Sequence, residues 1–247
     1  MVSERHGSRG SWALAGAALL LAVAFVVAPV GLAGGSHGVG FFGSAALSKS
    51  VGDNFVAFWR SGGRALPAGM NDLVQYWLRY HVAKAVFAGL LLLVLAVLAA
   101  RLWRRRTAGV AAATAAAGGF GAALLLMANV QGAVAPLSSV LTLMPSSTDD
   151  PDVGLVKTQV AQQLRTHGTP RPALAHMISD FGTYHAVLAV SAVVLACAIL
   201  VVSVVVGRSS PASAVFAIVG ICVLILAAAN IGSAINPADA LLLFYAE

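Results

Sequence analysis

Charge is what this 247-residue sequence has least of. Asp, Glu, Lys and Arg together make up 10% of it, against roughly 25% in an average soluble domain. That shortage excludes an ordinary soluble globular surface. Within the long apolar runs no acidic residue occurs, and Lys84, near the edge of one run, is the sole basic one. Cysteine is nearly absent as well. Cys197 and Cys222 both fall inside apolar runs, with no CxxC spacing, so a thiolate metal cluster is excluded and the pair reads as small packing residues. No Gly-x-Ser-x-Gly elbow marks a nucleophile. No Walker or dinucleotide glycine pattern precedes a helix, which argues against ATP-driven transport by this chain alone. Asp149, Asp150 and Asp152 lack the glycine and distal glutamate of a calcium loop.

What the sequence has instead is length of apolar run. Hydrophobic residues make up 59% of the chain, and five stretches reach the roughly 20 residues that carry a helix across a bilayer. They are Trp12 to Leu32, Val82 to Ala100, Gly109 to Ala128, Ala186 to Val206 and Ala212 to Ala229. The first exceeds a secretory h-region of roughly 7 to 15 residues and reads as an uncleaved anchor, with cleavage after Ala33 as the alternative. Arg5 and Arg9 are not adjacent, so they form no twin-arginine signal.

The net charge of +6 is placed for topology rather than for nucleic acid. Four of the fifteen basic residues sit in Arg101-Leu102-Trp103-Arg104-Arg105-Arg106, between two spans. A basic turn with an interfacial Trp is the positive-inside signal. The expected localisation is a bacterial inner membrane, multi-pass, with the N-terminus and the Arg101 and Arg208 turns cytoplasmic and the C-terminus outside. Twelve Arg against three Lys fits a GC-rich bacterial genome. No nucleic acid partner is expected; the bilayer is.

Two blocks recur. Tyr80-His81 and Tyr184-His185 each open an apolar run; Asn129 and Asn230 each follow a second run, and a Pro stands seven positions beyond each Asn, at Pro136 and Pro237. Leu73, Val74 and Trp77 align with Met177, Ile178 and Phe181 upstream. The chain reads as an all-α membrane protein of five transmembrane helices, one anchor helix followed by a tandem duplication of a two-helix hairpin, with short extracytoplasmic amphipathic helices. Its segments are an anchor (1–33), an outer loop (34–79), a first hairpin (80–145), a second outer loop with a short helix (146–183) and a second hairpin (184–247). Copies that both enter from outside are related by an axis along the membrane normal, as in parallel repeats.

The outer loops hold two helix signals. After the flexible run Gly34-Gly35-Ser36-His37-Gly38-Val39-Gly40, residues Val51, Phe55, Phe58 and Trp59 recur at helical spacing beside Asp53 and Arg60. They describe either a helix lying on the membrane surface or one packed into a small extracellular domain. Hydroxyl and acidic residues before Val153, good helix formers within, and Gly168 at the stop describe a capped helix over 153–167. His176 and Asp180, at i and i+4, read as a surface pair. Gly109, Gly118, Gly119 and Gly121 make the third span a close-packing helix.

The spacing places each His and its Asn at similar depth on neighbouring antiparallel helices, and pseudosymmetry gathers His81, Asn129, His185 and Asn230 around one axis. Arg79, Lys84, Tyr80, Tyr184 and Asp180 lie near the same level. Three roles fit this constellation. Paired His–Asn hydrogen bonds fasten each hairpin, at about 0.6 to 2 kcal/mol apiece; His81 and His185 ligate haem or a transition metal; or the polar cluster receives a quinone headgroup or an anionic lipid. Fastening is the leading reading. It makes the chain a non-enzymatic scaffold or accessory subunit that binds a membrane or extracytoplasmic protein partner, or lipid, at its outer face. The alternatives are a redox, haem- or metal-binding membrane protein using His81 and His185, and a small transporter. The last finds no acidic group and no proline-broken helix pair at the midplane.

Overall fold

The computed structural model describes residues 2–34, 44–105, 109–166, 168–207 and 210–246. Of the features above, most of the glycine-rich run, Arg106, His167 and Arg208 lie outside the described residues. Nine helices and no strand occur among the described residues: α1 (Val2–Gly34), α2 (Ser44–Ser61), α3 (Ala68–Trp103), α4 (Gly109–Val134), α5 (Pro136–Leu141), α6 (Pro151–Arg165), α7 (Pro172–Val206), α8 (Pro211–Ile235) and α9 (Pro237–Tyr245). Five of them, α1, α3, α4, α7 and α8, are long and apolar enough to cross a membrane. Only 11% to 28% of each hydrophobic window is buried within the protein, so their flanks are free to meet lipid. The chain is a multi-pass helical membrane protein.

Helices α3 and α7 run further than their apolar runs suggest. Residues 68–81 and 172–185 continue without a break into the spans. At 1.5 Å per residue each helix is about 53 Å long, well beyond the roughly 30 Å hydrocarbon core. Each helix is therefore longer than the hydrocarbon core it would cross.

The chain divides into two compact units, Met1–Val39 with Arg79–Val130 and Gly40–Leu78 with Gln131–Glu247. The first unit consists of α1 and the membrane parts of α3 and α4. Ala18 on α1, Leu91 on α3 and Ala122 on α4 form a small buried cluster. Of the four glycines read as close-packing, Gly118 and Gly119 face Leu95, with room for a Cβ 3.4 and 3.7 Å from it, while Gly109 and Gly121 face open space. The close approach is thus confined to one turn of α4.

The second unit holds the α7–α8 hairpin and a helical head. Residues from α2, the start of α3, α5, α6, the start of α7 and α9 share one hydrophobic core, in which Phe55, Phe58, Met70, Leu174 and Met177 are fully buried. Full burial of such side chains contributes about 1.5–3 kcal/mol each. Val51, Phe55, Phe58 and Trp59, one face of α2, point into this core, so the packed reading of that helix describes the structure and the membrane-surface reading does not. Gly52 lets α2 approach closely: a Cβ there would stand 2.9 Å from the Pro145 ring. Trp59 Nε1 donates to Gln159 Oε1 at 2.7 Å, and Arg60 pairs with Asp152 at 3.2 Å, joining α2 to α6.

Helix α6 begins where the acidic run placed it. Asp150 is its N-cap, and its carboxylate accepts from Asp152 N and Val153 N, with Pro151 at the first helical position. His176 and Asp180 do not pair. His176 Nδ1 bonds the Arg64 carbonyl at 2.8 Å, and Asp180 Oδ2 accepts the backbone N–H of Ser138 at 2.7 Å. Helix α5 has no capping side chain of its own at Ala135, and Asp180 supplies the missing acceptor from α7.

The prolines after each Asn begin helices as well as ending them. Pro136 and Pro237 occupy the first position of α5 and α9. Their preceding residues bend alike, Ala135 at φ −124°, ψ 68° and Asn236 at φ −119°, ψ 63°. Proline disfavours helical geometry in the residue before it and then presets φ for a new helix.

Candidate functional site

Each histidine is bonded to the asparagine of its own hairpin. In the first unit His81 Nδ1 lies 2.9 Å from Asn129 Oδ1, and in the second His185 Nδ1 lies 2.7 Å from Asn230 Oδ1. An amide oxygen only accepts, so both rings donate from Nδ1. Each amide is turned the same way by a second bond: Asn129 Nδ2 donates to the Leu125 carbonyl at 2.7 Å, and Asn230 Nδ2 to the Leu226 carbonyl at 2.8 Å. The i−4 carbonyl thus fixes the amide, and the amide fixes the imidazole. Asn129 and Asn230 are both buried, as an interhelical hydrogen bond requires if water is not to compete.

The other sequence candidates divide between the units. In the first, Arg79 Nε donates to the Ala33 carbonyl at 3.0 Å, satisfying an acceptor in the last turn of α1. Lys84 Nζ sits 4.5 Å from the centre of the Phe25 ring and donates to Tyr80 Oη at 3.4 Å. Cation–π contact and a hydroxyl acceptor hold the Lys84 side chain against Phe25 and Tyr80. Tyr80 meets the His81 ring edge to face. In the second unit Tyr184 meets His185 in the same way, and Phe181 packs on the other side with centroids 4.5 Å apart. The Tyr184 carbonyl accepts from Gln131 Nε2 at 3.2 Å.

Gln131 is a buried polar residue that sequence reading passed over. The signal was present, because Gln131 stands where the second block has Gly232 and is thus a break in the repeat. A second fastening also went unseen. Ser203 Oγ donates to the Ser213 carbonyl and Ser213 Oγ to the Ser203 carbonyl, both at 2.8 Å, with both residues buried. The α7–α8 hairpin is therefore clasped near both ends.

Among the described residues no three His, Cys, Asp or Glu side chains converge. A His whose Nδ1–H is held by an acceptor is also how metal-ligating imidazoles are oriented; if a metal or haem iron were held, Nε2 of His81 and of His185 would be the ligating atoms. Beside His185 the structure holds a cavity of about 280 Å³, lined from α5, α7 and α9 by Met177, Phe181, Tyr184, Phe244 and Tyr245 among others. The Tyr245 hydroxyl is buried without a hydrogen-bond partner, and burial pushes its pKa up from the ordinary phenolic value. Fold and site together define a multi-pass helical membrane protein with a packed head on its spans. The chain matches no protein-family model, no curated protein and no solved structure.

Proposed function

We propose that the chain is a non-enzymatic membrane scaffold or accessory subunit of a bacterial inner membrane, whose head is a rigid docking surface for a protein partner on the outer side. One observation carries this reading: the two long connections share a single hydrophobic core instead of lying as separate loops. A core of that kind holds a surface in one shape, which is what partner recognition requires. The His–Asn pairs support it as fastenings that hold the two helices of each hairpin in register, because every polar atom of each amide is directed within its own hairpin.

The matched pairs, the matched amide bonds and the matched bends before Pro136 and Pro237 support an origin by tandem duplication of a hairpin. The basic turn at Arg101 to Arg106 supports a cytoplasmic N-terminus and an outer head. A photo-crosslinking residue at Leu155, an exposed apolar position on α6, tests the docking role in the native membrane. The reading expects one defined adduct, identified by mass spectrometry and lost when Gly52→Val disrupts the head. Absence of any defined adduct along the exposed face of α6 would overturn it.

A further inference from the structure

The first unit carries a charge imbalance that the docking role does not use. Residues 1–39 and 79–130, which make up that unit, include eight basic residues and a single acidic one, Glu4. Glu4 stands near the start of α1, about 32 Å along that helix from Phe25. Arg79 and Lys84 stand at the other end of the unit, away from the Arg101 turn. That end therefore holds two cations and no carboxylate of its own.

Both cations lean on α1. Arg79 Nε donates to the Ala33 carbonyl at 3.0 Å, and Lys84 Nζ lies 4.5 Å from the centre of the Phe25 ring. They follow one seam between antiparallel helices, with their backbones about 7.5 Å apart along α3. These contacts hold the side chains without neutralising them. The carbonyl offers Arg79 only the partial charge of a helix end, and the ring offers Lys84 only its quadrupole. Neither cation forms an ion pair among the described residues. Arg79 is exposed and Lys84 half-buried, and the terminal NH2 groups of Arg79 have no hydrogen-bond partner among the described residues. Lys84 falls inside an apolar run, where a cation is costly unless a counter-charge meets it. At the same level Val26 and Val27 on α1 and Val82 and Val86 on α3 are exposed, an apolar surface for hydrocarbon chains.

We infer that this α1–α3 seam binds an anionic phospholipid, whose phosphate accepts from Arg79 and Lys84 while its acyl chains lie along the exposed valines. The planar guanidinium fork matches phosphate oxygens, and the flexible Lys84 stem lets its ammonium rise toward the same headgroup. A zwitterionic lipid offers the same phosphate with an ammonium beside it, which the two cations repel.

The test uses the full-length protein in phosphatidylcholine nanodiscs that contain a trace of phosphatidylglycerol with a photoactivatable group near its phosphate. Adducts, mapped by mass spectrometry, are expected within residues 25–33 and 79–86, competed by unlabelled phosphatidylglycerol and not by added phosphatidylcholine or inorganic phosphate. Lys84→Met keeps a stem against Phe25 and removes the charge. It should lower this labelling about 5-fold, the attraction of one Lys or Arg to an anionic lipid surface, and Lys84→Arg should keep it. Arg171→Gln, which removes a charge from the exposed start of α7 in the second unit, should change nothing. Unaltered labelling in Lys84→Met, loss in Lys84→Arg as large as in Lys84→Met, an equal fall in Arg171→Gln, equal competition by phosphatidylcholine or inorganic phosphate, or no adduct in either segment would each overturn the inference.

Discussion

The His185–Asn230 fastening makes a quantitative claim that a double-mutant cycle can test. His185→Phe keeps a ring against Phe181, whose centroid is 4.5 Å away, and removes the donor. Asn230→Leu keeps the branched outline of the amide and removes the acceptor. Each single change leaves a buried group unpaired, Asn230 Oδ1 in one case and His185 Nδ1–H in the other, and should cost about 1–3 kcal/mol. With both replaced, nothing polar is left stranded. The double variant should therefore lose less than the sum of the singles, by a coupling of about 0.6 to 2 kcal/mol, the range for interhelical hydrogen bonds in bilayers. At 2.7 Å and partly buried, the bond belongs in the upper half of that range. Reversible unfolding in mixed detergent, followed by far-ultraviolet circular dichroism, supplies the four free energies. Strict additivity of the two changes would refute the reasoning, because it would mean that the bond in the structure carries no energy.

The same cycle at His81 and Asn129, whose bond is 2.9 Å long, should return a coupling of the same sign and within about twofold of the second pair; opposite signs would contradict a shared fastening role. Ser203→Ala and Ser213→Ala should each lower stability by about 0.5–1.5 kcal/mol, and because the two hydroxyls also lie 3.1 Å apart the double variant should depart from the sum of the singles; a neutral double variant would show that the clasp does not matter. Gly52→Ala should destabilise by about 1–3 kcal/mol, because the new methyl meets the rigid Pro145 ring at 2.9 Å and Val153 at 3.1 Å. A stabilising Gly52→Ala, the outcome helix propensity alone would give, would show that the head repacks freely.

Much of this architecture was legible from residue pattern. Runs of about 20 apolar residues without acidic groups mark spans because the bilayer imposes that length. Asp149-Asp150-Pro151-Asp152 marked the start of α6 because a carboxylate before a first-turn proline satisfies backbone donors that the helix leaves open. The pairing of each His with its Asn followed from rise per residue on antiparallel helices. What local pattern could not settle is which surface covers an apolar face. Phe55 and Trp59 look the same to a membrane and to a protein core, and only the arrival of α6, α7 and α9 decides between them. Asp180 resembled a partner for His176 at helical spacing, yet the uncapped N-terminus of α5 competes for its carboxylate. Tyr245 carried no signal, since a buried orphan hydroxyl is defined by neighbours far away in sequence.

The claim that His81 and His185 serve as fastenings meets its most direct test in an absorption spectrum with metal analysis. The full-length protein would be expressed under haem- and metal-replete conditions, purified in mild detergent and compared with the His81→Ala/His185→Ala variant. The account predicts no Soret band and no stoichiometric metal in either protein, with the variant differing only in a lower melting temperature. A Soret band or one equivalent of metal in the wild type, lost in the variant, would contradict it and make the paired histidines a cofactor site.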